Sequence, residues 1–260
     1  MSRNGFSTLV MAALLLLAGL GGPVFAEDLK TGDLKASDPL REARRLIEQL
    51  RADLKPVDDQ IAHAPYLTAL EHHQVSLDNL RAFVGEEYYI SRSDLRSNSQ
   101  MLSRFGNQPH AQFFLDNVNG EAQGLALLLN FAHALGLSER DLQAYEPRPR
   151  AQTYPSYVTW LGLYGSQADV AAAYLINFPV FGANTARMGA ALRNVYGFSA
   201  AATAYFDFFG SLPPSFENDA LNVIQDGLNS CASTADIRRS ARLLQAYEKD
   251  FWDAVAQNPQ

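Results

Sequence analysis

The chain has 260 residues, of which 47% are hydrophobic and 19% charged, and its net charge at neutral pH is −7. This length and apolar content allow one large domain or two small ones with a full hydrophobic core. The acidic balance disfavours nucleic acid as a partner, because a phosphate backbone needs a basic surface. Because Cys231 is the only cysteine, an internal disulfide bond and a four-cysteine metal site are excluded.

Residues 1–26 have the layout of a secretory signal peptide. A basic Arg3 precedes a short apolar stretch, and small side chains before Glu27 indicate cleavage there. Cleavage removes one of the 21 basic residues and none of the 28 acidic ones, so the net charge becomes −8. We therefore expect a periplasmic or secreted protein without stable membrane contact, the alternative being retention of the segment as an anchor. In an oxidising compartment, Cys231 is expected to be buried.

Apolar residues after position 37 recur at helical spacing, and no stretch alternates convincingly with a period of two. The prediction is an all-α protein: a linker at 27–36, then a single domain at 37–257 built as a bundle of seven to nine helices. The first helix is expected to start at Asp38-Pro39 and to end by Pro56. The other main helices are predicted near 78–104, 110–135 with a possible break at Asn119-Gly120, 154–164, 169–186, 214–229 and 234–256.

The stretch 83–96 is the first candidate for function, because it places carboxylates and phenols in the middle of a helical pattern. Glu86 and Tyr89 share one face by their spacing, and Glu87 points elsewhere. We interpret Glu87 as a solvated residue and Asp94 as part of a surface charge cluster. Glu86 is the candidate acid.

A second candidate region surrounds Pro179 in the most apolar helix, where the proline should kink the helix beside a cavity. Asn177 and Asn184 lie seven residues apart, nearly on one face, and Phe178 is adjacent. The amides could contact a ligand or serve structural hydrogen bonds equally well. Tyr205 belongs to an aromatic run that either lines a pocket or packs in the core.

The last helix carries a carboxylate in an unusual position. Glu248 shares a face with Leu244, Phe251 and Trp252, and an acid among such residues indicates a pocket or a buried partner. The neighbouring Tyr247 is a further candidate for ligand contact.

Together these segments resemble the TenA/PqqC group of the haem-oxygenase-like fold, typified by thiaminase II. The resemblance spans residues 40–257. It rests on the order and spacing of five motifs: His63-Ala-Pro-Tyr66, Glu86-Glu-Tyr-Tyr-Ile90, Asn130-Phe-Ala-His-Ala-Leu-Gly-Leu137, Glu146-Pro-Arg-Pro149 and Tyr247-Glu248-Lys-Asp-Phe251-Trp252.

The resemblance implies hydrolysis of a thiamin-type aminopyrimidine, a small heteroaromatic molecule, without a cofactor. By position, Glu86 would bind the aminopyrimidine, Tyr89 would line the same pocket, and Glu248 would be the second catalytic acid. Two close carboxylates should raise the pKa of at least one of them. Members of this family commonly resemble homo-oligomers.

The chain also departs from the family pattern. The nucleophilic cysteine expected near residues 177–179 is absent, and the tyrosine expected one turn later falls at Gly182. An aminopyrimidine hydrolase that uses only acid–base catalysis remains one prediction. A non-catalytic extracytoplasmic binding protein is the alternative.

A third hypothesis is that the protein is a di-iron oxidase of the same fold. Such a site needs about six Glu, Asp and His ligands on bundle helices. Glu86 and Glu121 could supply two of them, but Leu125 and residues 184–194 contribute no histidine or carboxylate partners. We therefore expect no metal.

Overall fold

A computed structural model describes residues 38–257 of the chain. The predicted signal peptide at 1–26 and linker at 27–36 lie outside these residues. The described chain is all-α, as predicted, and contains ten helices: α1 (Arg41–Ala62), α2 (Pro65–Glu71), α3 (Leu77–Phe105), α4 (Gln112–Ala134), α5 (Glu139–Ala144), α6 (Thr153–Tyr164), α7 (Gln167–Asn194), α8 (Ala204–Phe209), α9 (Phe216–Asn229) and α10 (Thr234–Val255).

The helix count exceeds the predicted seven to nine because α2, α5 and α8 have only six or seven residues each. Two predicted interruptions are also wrong. Helix α1 continues through Pro56 to Ala62, because Pro56 lies on the exposed side, where water can solvate the carbonyl that loses its donor. Helix α4 continues through Asn119-Gly120, since one internal glycine costs a helix only about 1 kcal/mol.

Helix α7 is the central element of the bundle. It starts in a capping box, in which Ser166 and Asp169 satisfy each other's backbone N–H groups. Residues 168–177 are all buried, and α7 packs against α9, α10, α8, α1 and α2. Pro179 lies inside this helix, which runs without interruption to Asn194.

Helix α3 lies on the other side of the core and packs chiefly against α4 and α6, while α10 packs against α7, α1 and α6. The long helices α3, α4, α7 and α10 thereby surround an interior space. Among residues 38–257, no helix combines the length and hydropathy needed to cross a membrane.

Candidate functional site

The interior space is a cavity of about 60 Å³. Four carboxylates reach it from three helices: Glu87 and Asp94 from α3, Glu121 from α4 and Glu248 from α10. The rest of its wall is mainly aromatic and aliphatic: Ile90, Ser91, Tyr154, Phe178, Phe181, Tyr205, Phe209, Leu212 and Phe251. Apolar walls around a few convergent polar groups are typical of a site for a small molecule.

Helix α3 supplies four of these residues through a simple repeat. Glu87, Ile90, Ser91 and Asp94 follow one another at intervals of three, one and three residues, so they form one helix face. Asp94 is therefore not part of a surface cluster, as its charged neighbours suggested, but is buried with 6% of its surface exposed.

The structure places Glu87, and not Glu86, at the cavity. Glu86 is fully buried and points toward the connection between α5 and α6. There it accepts hydrogen bonds from Tyr145 Oη at 2.8 Å, from the Arg148 backbone N–H at 2.9 Å and from Gln152 Nε2 at 2.8 Å. The Arg148 guanidinium lies 3.8 Å from the same carboxylate. Glu86 thus joins two segments of the fold, with both oxygens already occupied.

Glu87 has a different environment. Tyr205 Oη donates a 2.9 Å hydrogen bond to Glu87 Oε2. Burial, reinforced by repulsion from Glu248, Glu121 and Glu86, raises the pKa of Glu87 to about 8, although the bond from Tyr205 opposes the shift. Glu87 therefore holds a proton over much of the neutral range.

Glu248 is held by two donors. Trp252 Nε1 lies 2.7 Å from Oε1 and Asn177 Nδ2 lies 3.3 Å from Oε2. Burial raises the pKa of Glu248 to about 7, and these two hydrogen bonds partly offset the effect. Near neutral pH, Glu248 can therefore either accept or donate a proton.

Within the described part of the chain, no such donor binds the remaining two carboxylates, Asp94 and Glu121. Burial raises the pKa of Asp94 well above its usual value, and repulsion from Glu121, Glu87 and Glu248 adds to the shift. Burial likewise raises the pKa of the Glu121 carboxyl group to about 8. Asp94 Oδ1 is buried without a hydrogen-bond partner within the described residues.

The predicted binding residues divide into two groups. Phe178 and Tyr205 line the cavity. Asn177 lies just behind it: besides Glu248, it binds Gln245 Oε1 and accepts from Tyr154 Oη. It therefore positions an acid instead of facing the space itself.

The other three predicted binding residues lie elsewhere. Tyr89 donates to the Gln143 carbonyl and lines a surface groove. Asn184 donates to the Ile61 carbonyl. Tyr247 packs against Tyr157 at a separate surface depression. Their helical positions turn them away from the cavity.

The cysteine pattern differs from the expectation in one respect. Cys231 is exposed, in the turn between α9 and α10, with a positive φ of 64°. The family pattern expects a nucleophile near residues 177–179, and there Phe178 reaches the cavity. The pattern expects a tyrosine one turn later, at Gly182, but Phe181 is the residue that lines the cavity there. Gly182 instead allows close approach of α8, since a Cβ there would lie 2.8 Å from the Phe209 carbonyl oxygen.

Comparison with known proteins agrees with this architecture. The family model described as TENA/THI-4/PQQC matches residues 51–258. The chain belongs to the TENA/THI-4/PQQC family. No curated protein matches its sequence significantly.

Solved structures with the same fold share little sequence with this family member. A TenA homologue from Pseudomonas syringae pv. tomato has a TM-score of 0.69 at 15% identity, with 84% of this chain and 96% of that chain covered. A protein from Silicibacter sp. TM1040, described as a TenA family transcription regulator, has a TM-score of 0.65 at 16% identity, covering 82% and 97%. Heme oxygenase-1 from the cyanobacterium Synechocystis sp. PCC6803, solved with heme, has a TM-score of 0.56 at 15% identity, covering 80% and 91%. The fold is therefore haem-oxygenase-like.

Among residues 38–257, no three His, Cys, Asp or Glu side chains are arranged to hold a metal ion. The four cavity acids thus share one space, but no three of them are placed as ligands of a single metal ion. The sequence spacing of two of these acids could have predicted that they share a site. Asp94 follows Glu87 by two helical turns, on a face that also carries Ile90 and Ser91.

Proposed function

We propose that this TenA-family protein hydrolyses a thiamin-type aminopyrimidine and does so outside the cytoplasm, after removal of residues 1–26. The observation that carries the proposal is the pair Glu87 and Glu248, which reach one aromatic-walled cavity from different helices. Their pKa values of about 8 and about 7 suit proton transfer near neutral pH.

In this mechanism, Glu87 takes the ring-binding role that the sequence assigned to Glu86. Its protonated carboxyl group can donate to a ring nitrogen and accept from the ring amine. Glu248, held by Trp252 and Asn177, removes a proton from a water molecule as the water attacks the carbon that bears the leaving nitrogen. The C–O bond forms, the C–N bond breaks, and the proton passes from Glu248 to the departing amine.

No cysteine lines the cavity, so attack by water replaces a covalent intermediate. The test is ammonia release from aminopyrimidines by the mature protein and by Glu248→Gln. Glu48→Gln, at an exposed position on α1, provides a control with the same change of charge. The proposal requires that Glu248→Gln lose ammonia release while Glu48→Gln keeps it; equal turnover by both variants would refute it.

Among residues 38–257, no cysteine lines the cavity, and this also supports the alternative of an extracytoplasmic binding protein. That reading predicts a rise in melting temperature with aminopyrimidines, increasing with ligand concentration, but no product. Export is tested separately by N-terminal sequencing of the protein recovered from cell fractions. The first residue of the exported protein should be Glu27.

A further inference from the structure

A second chamber of about 180 Å³, called the outer chamber, lies beside the cavity, between α4, α7 and the α8–α9 connection. The two spaces share part of their walls: Glu121, Phe178, Phe209 and Leu212. Glu121 accordingly lies at the junction between the chambers.

Among residues 38–257, the side chains that line the two chambers include acids and aromatic rings but no Lys, Arg or His. The outer chamber adds Asp116 and Asp219 to the four inner carboxylates. Because no basic side chain of this lining offsets the acidic ones, the site has no positive charge of its own. The faces of phenylalanine rings also attract cations. The lining therefore suits a positively charged organic molecule.

Asp94 and Glu121 are the acids that the hydrolytic mechanism does not use. The Asp94 oxygen without a partner belongs to a side chain that is 94% buried and lines the cavity. A buried carboxylate oxygen without a donor is costly, so its retention points to a donor brought by a ligand. A protonated amine would supply both the hydrogen bond and the charge.

We propose that Asp94 and Glu121 form a cation subsite that binds a protonated amine of the ligand, while its aromatic body lies among the phenylalanines of the cavity. The inference rests on the proposed function in one respect, that this cavity is the ligand site. It adds that the ligand is an organic cation. The dispersed acids, which are not arranged to ligate a metal among residues 38–257, favour an ammonium group over a metal ion.

The test compares two probes of nearly the same shape, benzylamine and benzyl alcohol, by calorimetric titration at about pH 7.5. The cationic probe should bind at least about tenfold more tightly. Asp94→Asn and Glu121→Gln should each reduce that ratio, and the double variant should bring it to about one. Glu48→Gln controls for the loss of one negative charge and should leave the ratio unchanged.

Proton release gives a second readout. Burial raises the pKa of Asp94 and raises the pKa of Glu121 to about 8, so Glu121 is largely protonated at neutral pH, and a bound cation should expel about one proton from the pair. Calorimetric titration in buffers of different ionisation enthalpy measures the number of protons released on binding. The groups that face this pair are acids and phenols from the surrounding helices: Glu87, Tyr154, Tyr174, Tyr205 and Glu248.

Equal affinity for the two probes would overturn the subsite, even if ammonia release still depended on Glu248. Binding of manganese(II) alone, lost in the same variants, would assign the pair to a metal and overturn it as well. Conversely, a cation preference that disappears in the double variant would support the subsite even if no aminopyrimidine were hydrolysed.

Discussion

Two neighbouring carboxylates on α3, Glu86 and Glu87, occupy opposite electrostatic environments. Glu86 accepts three hydrogen bonds and lies beside an arginine, whereas Glu87 accepts one bond from Tyr205 and faces other acids. A rotation of about 100° between successive helical residues separates the two environments. A buried acid with a full set of hydrogen-bond donors therefore stabilises the fold, whereas a buried acid with few donors is available for chemistry.

Substitution of Glu248 should have the greatest effect on catalysis and should differ from substitution of Glu87 in the kinetic constant that it changes. Glu248→Gln should lower kcat by at least about 100-fold with little change in KM, because it loses the group that transfers the proton. Glu87→Gln should chiefly raise KM, because it alters the contact with the ring. Steady-state ammonia release measures both constants, and an effect of Glu87→Gln on kcat alone would assign it a different role.

Substitutions of the neighbours Glu86 and Glu87 should also differ in their effect on stability. Glu86→Gln should lower the free energy of unfolding by about 2 kcal/mol or more, because its new amide N–H group meets the donors of Tyr145, Arg148 and Gln152. Glu87→Gln should leave stability unchanged or raise it at about pH 8, where it removes repulsion. Urea unfolding of both variants tests this pair; equal destabilisation would erase the contrast.

The cavity acids should also give stability a characteristic pH dependence. Their pKa values are raised in the folded state, from 4.5 to about 8 for Glu87, so unfolding releases protons between these values. Stability should therefore fall as pH rises from about 4.5 to about 8, by about 2 kcal/mol or more, which corresponds to about 4–8 °C in melting temperature. Asp94→Asn should flatten this decline; a melting temperature that rises over the same range would contradict the assignment.

Substitution of two glycines should have smaller effects, one beside the hydrogen bonds of Glu86 and one beside the cavity. A Cβ on Gly85 would lie 2.5 Å from the Tyr145 ring, beside the Glu86 network, and one on Gly124 would lie 2.5 Å from the Phe209 ring in the cavity wall. Gly85→Ala should cost about 1–3 kcal/mol of stability. Gly124→Ala should weaken ligand binding more than it changes stability, because the displaced Phe209 is part of the cavity wall. Thermal unfolding and probe titration of both variants check the difference.

The sequence predicted those features of the fold that depend on local rules. Helices α3, α9 and α10, predicted near 78–104, 214–229 and 234–256, follow from the spacing of apolar residues within a few turns. The path of α1 through Pro56 was not predicted, because it depends on which side of the helix faces water.

The site was predictable only in part. Glu248 was identified because an acid among large apolar residues is unusual, and that signal lies within one helix. Choosing between Glu86 and Glu87 required knowledge of where Arg148 and Gln152 pack, about 60 residues away in the chain. The face of Glu87 and Asp94 was visible in the spacing, but their charged neighbours suggested solvent.

A crystal structure of the protein with bound 4-aminopyrimidine would show which carboxylate binds the ring. If Glu87 binds it, the ring should lie inside the cavity, near Phe178 and Phe251, with its amine or a ring nitrogen about 3 Å from a Glu87 oxygen. Glu86 should keep its bonds to Tyr145 and Gln152. A ring bound to Glu86, or held in the surface groove beside Tyr89, would contradict a ring-binding role for Glu87.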